Sequence, residues 1–200
     1  MTSPRTGGAP PLILASSSSY RRALLERLGL PFSVVAPEID EVVHAKELPA
    51  VASVRLAEAK ARAVAARHPD ALIIGCDQMA ACDGIAIGKP RDRDDALAQL
   101  RSMRGRTIVF HTAVALLNAR TGRCQTALVD VASTFRTLGD EQLAAYIDRD
   151  QPYDCAGSVK CEALGIALFS RIASDDPTAL IGLPLIRLTD MLMAEGMQIL

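Results

Sequence analysis

Apolar and polar positions along this chain switch repeatedly between a period of two and a period near four, and the switches predict its elements. The first apolar run, Leu12 to Ala15, reads as a short buried strand. Four serines follow, Ser16 to Ser19, after which Leu24, Leu25 and Leu28 take up helical spacing over Tyr20 to Leu28. Gly29 ends that helix, as a glycine just beyond a helix terminus does. Phe32 to Ala36 is β-rich and runs into Pro37-Glu38-Ile39-Asp40-Glu41. An alanine-rich helix is expected from Ala50 to Arg67, with Val54, Ala57, Ala61 and Val64 as its apolar stripe. Ala71 to Cys76 reads as a buried strand that ends in Gly75-Cys76-Asp77-Gln78. Met79 to Ile87 reads as a hairpin, because Asp83-Gly84 is a favoured two-residue turn between apolar runs.

The second half continues in the same manner. Asp92 to Arg104 is an amphipathic helix with Ala96, Leu97, Leu100 and Met103 on one side, and its aspartate-rich first turn suits the helix dipole. Thr107 to Leu117 and Cys124 to Arg136 are long strands joined through Thr121-Gly122, and Asp140 to Arg149 is a helix. Gln151 to Gly165 has little periodicity. Ile166 to Ile172 returns as a strand, a helical turn starts at Asp176-Pro177, and Leu185 to Glu195 is a last helix stopped by Gly196. Helices and strands mixed in this order, with two long neighbouring antiparallel strands, predict an α/β fold with a mixed sheet.

Composition narrows the classes of function. Half of the 200 residues are hydrophobic and 22% are charged, a globular balance with enough chain for a real core. The 22 Lys and Arg nearly match the 23 Asp and Glu, so no global field recruits nucleic acid or an anionic membrane. The five cysteines are odd in number and contain no C-x-x-C pair, so they read as reduced thiols of a cytoplasmic protein. Residues 1–11 are polar and rich in Gly and Pro, and are expected to be a disordered tail before a single domain over 12–200. No export signal or membrane span is visible.

Candidate chemistry collects where strands are expected to end. Ser16, Ser18, Arg21 and Arg22 sit between a strand and a helix start, where free N–H groups and guanidinium groups can hold phosphate. Cations are disfavoured at the positive end of a helix dipole, so two arginines there suggest that an anion is expected. Serines that merely cap a helix beside solvated arginines would also fit. Asp77 follows an apolar strand and could activate water or bind a metal, or act as an ordinary cap. Glu38, Asp40 and Glu41 offer further carboxylate oxygens, the ligands that Mg²⁺ prefers, although acids also collect on solvated loops. Lys60 lies among alanines and Lys89 between Gly88 and Pro90. Glu162 is either a solvated loop acid or an acceptor that reads a base. The chain has no G-x-x-x-x-G-K-[ST], no G-x-G-x-x-G and no G-x-S-x-G, and its three histidines lack metal-ligand spacing.

Taken in order, ASSSSYRRALLERLGLPF, PEIDE, RLAEAKA, GCDQ, GKP, DCAGSVKCEALGIALF and LIGLPL resemble the Maf family of nucleotide pyrophosphatases over about residues 12 to 195. The resemblance implies an elongated mixed sheet with flanking helices and a deep cleft between two lobes, similar to inosine triphosphate pyrophosphatase. It implies cleavage of a nucleoside triphosphate to the monophosphate and pyrophosphate, assisted by a divalent cation (Mg²⁺, Mn²⁺ or Co²⁺). The family's catalytic aspartate falls on Asp77, which with Glu41 would serve the metal. Its phosphate ligands fall on Ser16, Arg21, Arg22, Lys60 and Lys89. Tyr20, Gln78 and Glu162 match the branch that acts on 7-methyl-GTP and would set specificity. The branch acting on dTTP and UTP, and a nucleotide-binding role in septum formation, are the alternatives. Ser19 departs from the proline usual there. The implied partner is a small nucleotide rather than nucleic acid or membrane, and a homodimer stays open.

Overall fold

The computed structural model describes residues 10–200. The expectation for the tail 1–11 therefore lies outside the described residues, apart from Pro10 and Pro11. Seven strands form one mixed sheet: β1 Leu12–Ala15, β2 Ser33–Val35, β3 Leu72–Cys82, β4 Ile85–Ile87, β5 Thr107–Asn118, β6 Cys124–Phe135 and β7 Phe169–Ala173. Five helices flank it: α1 Ser19–Glu26, α2 Pro49–Ala65, α3 Arg93–Met103, α4 Asp140–Asp150 and α5 Leu185–Ala194. Strand order is β2-β1-β3-β5-β6-β7, with β4 paired to β3 off that path. β1 runs parallel to β2 and β3, and the remaining pairs are antiparallel.

Most expected elements are present, with ends moved by a few residues. The important exception is β3. It does not stop near Cys76 but continues to Cys82, so Asp77 lies in mid-strand rather than at a strand end. Two causes are visible. The apolar residues Met79 to Cys82 extend the strand pattern, and β5 pairs with β3 from Leu72 through Ala81. The hairpin expected from Met79 is thus the far half of β3 turning through Asp83 (φ 50°) and Gly84 (φ 77°) into β4. The strand expected from Ile166 begins only at Phe169, after a 3-10 turn over Leu164–Leu168.

β3, β5 and β6 are 11, 12 and 12 residues long. At about 3.3 Å per residue they reach nearly 40 Å and run through both ends of the molecule. Each end has its own apolar cluster. At one end Leu24 and Leu25 of α1 and Leu188 and Leu192 of α5 pack on Leu14, Ile74 and Leu116. At the other, Leu100 of α3 and Ile147 of α4 pack on Ala80, Phe110 and Val131. On the opposite face α2 lays Ala61 and Val64 on Ile13, Ile73 and Leu117. The clusters at the two ends form the expected two lobes, and the cleft lies between them.

The register creates that cleft. Along one edge of β3, Leu72 to Gly75 pair with β1 and Ala80 to Cys82 pair with β4. Cys76 to Met79 pair with β5 alone. Both flanking strands end at this gap, so the loops after them, Ser16–Ser18 and Gly88–Pro90, open directly onto it.

Candidate active site

Successive residues of a strand point to opposite faces, and β3 uses both faces at the gap. Gly75 and Asp77 face α2. A Cβ on Gly75 would lie 2.0 Å from the Ala57 carbonyl oxygen and 2.9 Å from the Ala61 nitrogen. The missing side chain therefore lets α2 rest on the strand backbone, which brings Lys60 onto Asp77. The Lys60 Nζ donates to Asp77 Oδ1 at 2.6 Å and to Glu41 Oε2 at 2.8 Å. Lys60 and Asp77 are buried, whereas Glu41 remains half exposed. Burial pushes the Asp77 carboxyl above its ordinary value, and the Lys60 ammonium and Arg21 guanidinium counter that push only in part.

Glu41 sits on a loop that α2 also holds. Arg55 Nε and an Arg55 terminal nitrogen each reach the Glu47 carboxylate at 2.7 Å, and the latter also donates to the Val42 carbonyl at 3.0 Å. The Arg55 contact and the His44 N–H bring the Glu47 carboxyl down to about 2. Of the three acids expected here, Glu41 alone lines the cleft; Glu38 and Asp40 do not.

Cys76 and Gln78 face the other way. The Gln78 amide nitrogen has three oxygens around it: Thr112 Oγ1 at 2.9 Å and the Ala179 and Leu180 carbonyls at 3.0 Å. Gln78 thus fastens the turn Ala179–Ile181 to the sheet, and its NH₂ is already committed. Sequence reasoning missed the organiser of this turn, Asp176, which is almost wholly buried. Asp176 Oδ1 accepts from the Thr178 N–H at 2.9 Å, and Oδ2 accepts from the Ile186 N–H at 2.8 Å. The turn then presents the Gly182 carbonyl to Arg21 Nε at 3.0 Å. A buried acid two residues before a threonine is a weak signal, since it also describes many capped turns.

The serine run caps and lines at once. Ser18 Oγ accepts from the Arg21 N–H as the cap of α1, and buried Ser16 accepts from the Ser18 N–H at 3.1 Å. Ser19 is the first helical residue, where proline is tolerated because that N–H has no helical partner; serine keeps this donor on the cleft wall. Neighbouring side chains then diverge. Arg21 turns toward Gly182 and Asp77, while the Tyr20 hydroxyl donates to Asp154 Oδ2 at 3.2 Å. Arg22 does not join them. It pairs with Glu26 one turn along α1, and it borders a shallow surface hollow with Leu30 and Phe32. Consecutive helical residues are about 100° apart, and the step from Arg21 to Arg22 carries the second guanidinium round to the Glu26 side of α1.

The cleft has a volume of about 490 Å³, a size suited to a nucleotide. Ser16, Tyr20, Arg21, Glu41, Lys60, Asp77, Gln78, Lys89 and Glu162 all line it. Lys89 is exposed there and has no ion-pair partner among the described residues. Asp154, Cys155 and Glu162 come from the irregular segment after α4. That wall is acidic. The Cys155 and Cys161 thiols are pushed up to about 12, first by burial and then by Asp154 and Glu162 respectively. The cleft therefore joins a cationic and carboxylate centre at Arg21, Lys60, Asp77 and Lys89 to an anionic wall beside Tyr20.

No group of three or more His, Cys, Asp or Glu side chains suited to a metal occurs among the described residues. Asp77 and Glu41 do converge on one ammonium, and two carboxylates plus phosphate oxygens form an acceptable donor set for a hard divalent cation. All five cysteines are free. No helix among the described residues is long and apolar enough to cross a membrane.

Comparison with known proteins bears on the same segments. A family model described as "Maf-like protein" matches residues 11–195. A relative from Methylobacillus flagellatus named 7-methyl-GTP pyrophosphatase is 54% identical over 191 residues, covering 96% of this chain and all of that protein. Relatives of the same name from Ralstonia nicotianae and Aromatoleum aromaticum are 58% and 54% identical, over 92% and 93% of this chain and 94% and 96% of their own. With a family match along nearly its whole length and relatives more than half identical to it, the chain belongs to the Maf family.

Proposed function

We propose that this protein is a nucleoside triphosphate pyrophosphatase that hydrolyses 7-methyl-GTP to 7-methyl-GMP and pyrophosphate, removing a modified nucleotide before nucleic-acid synthesis can use it. The observation that carries this reading is the buried Asp77–Lys60 pair at the gap in β3, with Arg21 and Lys89 beside it in one cleft. The names of the relatives support the choice of nucleotide.

In this mechanism Arg21 and Lys89 neutralise the triphosphate, aided by the N–H groups at the start of α1. Arg21 is held by Gly182 through Nε and lines the cleft, where its guanidinium is placed for phosphate. Asp77 takes a proton from water, whose oxygen bonds to the α-phosphorus as the bond to the pyrophosphate oxygen breaks. Lys60 keeps Asp77 ionised against the pull of burial, and burial in turn makes that carboxylate a stronger base. Asp77 and Glu41 would hold the divalent cation. When bound, such a cation supplies charge neutralisation and polarisation of phosphate oxygens. Glu162 on the acidic wall accepts from the guanine edge, and Tyr20 offers an aromatic face to the positively charged methylated ring.

Pyrophosphate release from 7-methyl-GTP, GTP, dTTP and UTP tests the reading. The expected order puts 7-methyl-GTP first in kcat/KM, and Asp77→Asn lowers its kcat by about 10²-fold or more. Equal turnover of dTTP or UTP would replace the substrate, and a fully active Asp77→Asn would remove the assigned base.

A further inference from the structure

Tyr20 and Asp154 are 134 residues apart, come from different segments and both line the cleft. The Tyr20 ring starts from the first turn of α1, and its hydroxyl ends on a carboxylate in the segment after α4. That carboxylate has a second partner. Asp154 Oδ1 lies 3.3 Å from Lys160 Nζ, which itself donates to the Asp150 and Gln151 carbonyls at 3.0 and 3.1 Å. The chain Tyr20–Asp154–Lys160 is therefore anchored to the C-terminal end of α4. Burial, Cys155, Asp154 and Glu162 all push the Tyr20 phenol up, so it keeps its proton and donates.

We infer that Asp154 is a positioning residue for base selection: it fixes the Tyr20 ring within the cleft and enriches it in electrons for a cationic base. The inference rests on the proposed preference for a methylated guanine. Two physical effects converge. A tyrosine side chain tied at both ends loses its rotamer freedom before the nucleotide arrives, so less ordering is left to oppose binding. A phenol that donates to an anionic acceptor gains electron density on its oxygen and ring, which strengthens attraction to a positive ring more than to a neutral one. Asp154 acts through Tyr20, whereas Glu162, on the same wall, faces the base itself.

A double-mutant cycle read by equilibrium binding tests this without turnover. 7-methyl-GMP and GMP are titrated into the intact protein, Tyr20→Phe, Asp154→Ala and the double variant. Tyr20→Phe keeps the ring and loses only the hydroxyl. The wild type is expected to prefer 7-methyl-GMP. Each single change weakens 7-methyl-GMP by about 3- to 10-fold, as for one lost hydrogen bond, and weakens GMP by less than about 2-fold. The double variant is no weaker than either single one. Asp154→Asn, which restores an acceptor without the charge, falls between wild type and Asp154→Ala. Equal losses for both nucleotides would mean that Asp154 only holds the loop, and multiplying losses would mean that it touches the base directly; either overturns the inference. A wild type without preference for 7-methyl-GMP also overturns it. Turnover of 7-methyl-GTP is a separate measurement, so failure of the proposed reaction is distinguishable from failure of this inference.

Discussion

At the scale of single residues, the chemistry rests on a few polar groups taken out of water. Asp77 is the clearest. Burial raises its carboxyl above the ordinary 3.8, and Lys60 offsets the shift only in part. A base must be ionised to act, so activity is lost as pH falls through the raised value. The acid limb of kcat/KM should therefore lie above 3.8, and a pH–rate profile checks it. The sign for stability is opposite to that of a carboxylate held low: the folded protein binds this proton more tightly than the unfolded chain, so Asp77 contributes less to stability above that window than below it. Asp77, Lys60 and Lys89 were legible as chemically useful types at unusual places, whereas Tyr20 stood out only through the family resemblance. That Lys60 and Asp77 touch was not, because they are 17 residues apart on different elements. Arg22 shows the converse. Its type suits phosphate, yet its side chain pairs with Glu26 and is not among those that line the cleft.

At the scale of elements, one close approach positions the centre. The backbone of α2 lies against Gly75, and the same helix supplies Lys60 to Asp77 and Arg55 to the loop that bears Glu41. Gly75→Ala places a methyl group where Ala57 and Ala61 backbone atoms already are, so α2 must move as a body. The expected cost is about 3 kcal/mol, at the upper end for overpacking, since backbone rather than a flexible side chain must yield. For a chain of this size that lowers Tm by about 6–12 °C, and calorimetry measures it. Activity should fall more than stability alone implies, because Lys60 moves with the helix. Periodicity revealed both α2 and the strand. It could not reveal that the strand passes through Gly75-Cys76-Asp77-Gln78 without stopping, because β5, beginning 31 positions beyond Cys76, supplies the pairing that carries it on.

At the scale of the whole molecule, two apolar clusters sit at the ends of three shared strands, and the site occupies the row between them. Gln78 and Thr112 form that row on one face, and Asp77 and Ala113 on the other. The edge of β3 from Cys76 to Met79 meets neither β1 nor β4, so a bound nucleotide covers backbone that the sheet leaves open. Nucleotide at 100 times its Kd should stabilise the fold by about 2.7 kcal/mol. Hydrogen exchange should show added protection at Cys76–Met79 and Ser16–Arg21, and little at β7. Denaturation with and without 7-methyl-GMP, followed by peptide-resolved exchange, measures both effects.

The sequence by itself determined which segments are strands and helices, because local periodicity, turn residues and caps act over a few neighbours. It also determined which residue types stand ready for phosphate, metal and base. Only the tertiary structure decided which of them meet. Strand register opened the gap at Cys76–Met79, and α2 resting on Gly75 joined Lys60 to Asp77. The direction of each side chain sent Tyr20 and Arg21 to different ends of the cleft and left Arg22 outside. Such contacts depend on how distant elements pack, and no local pattern encodes that.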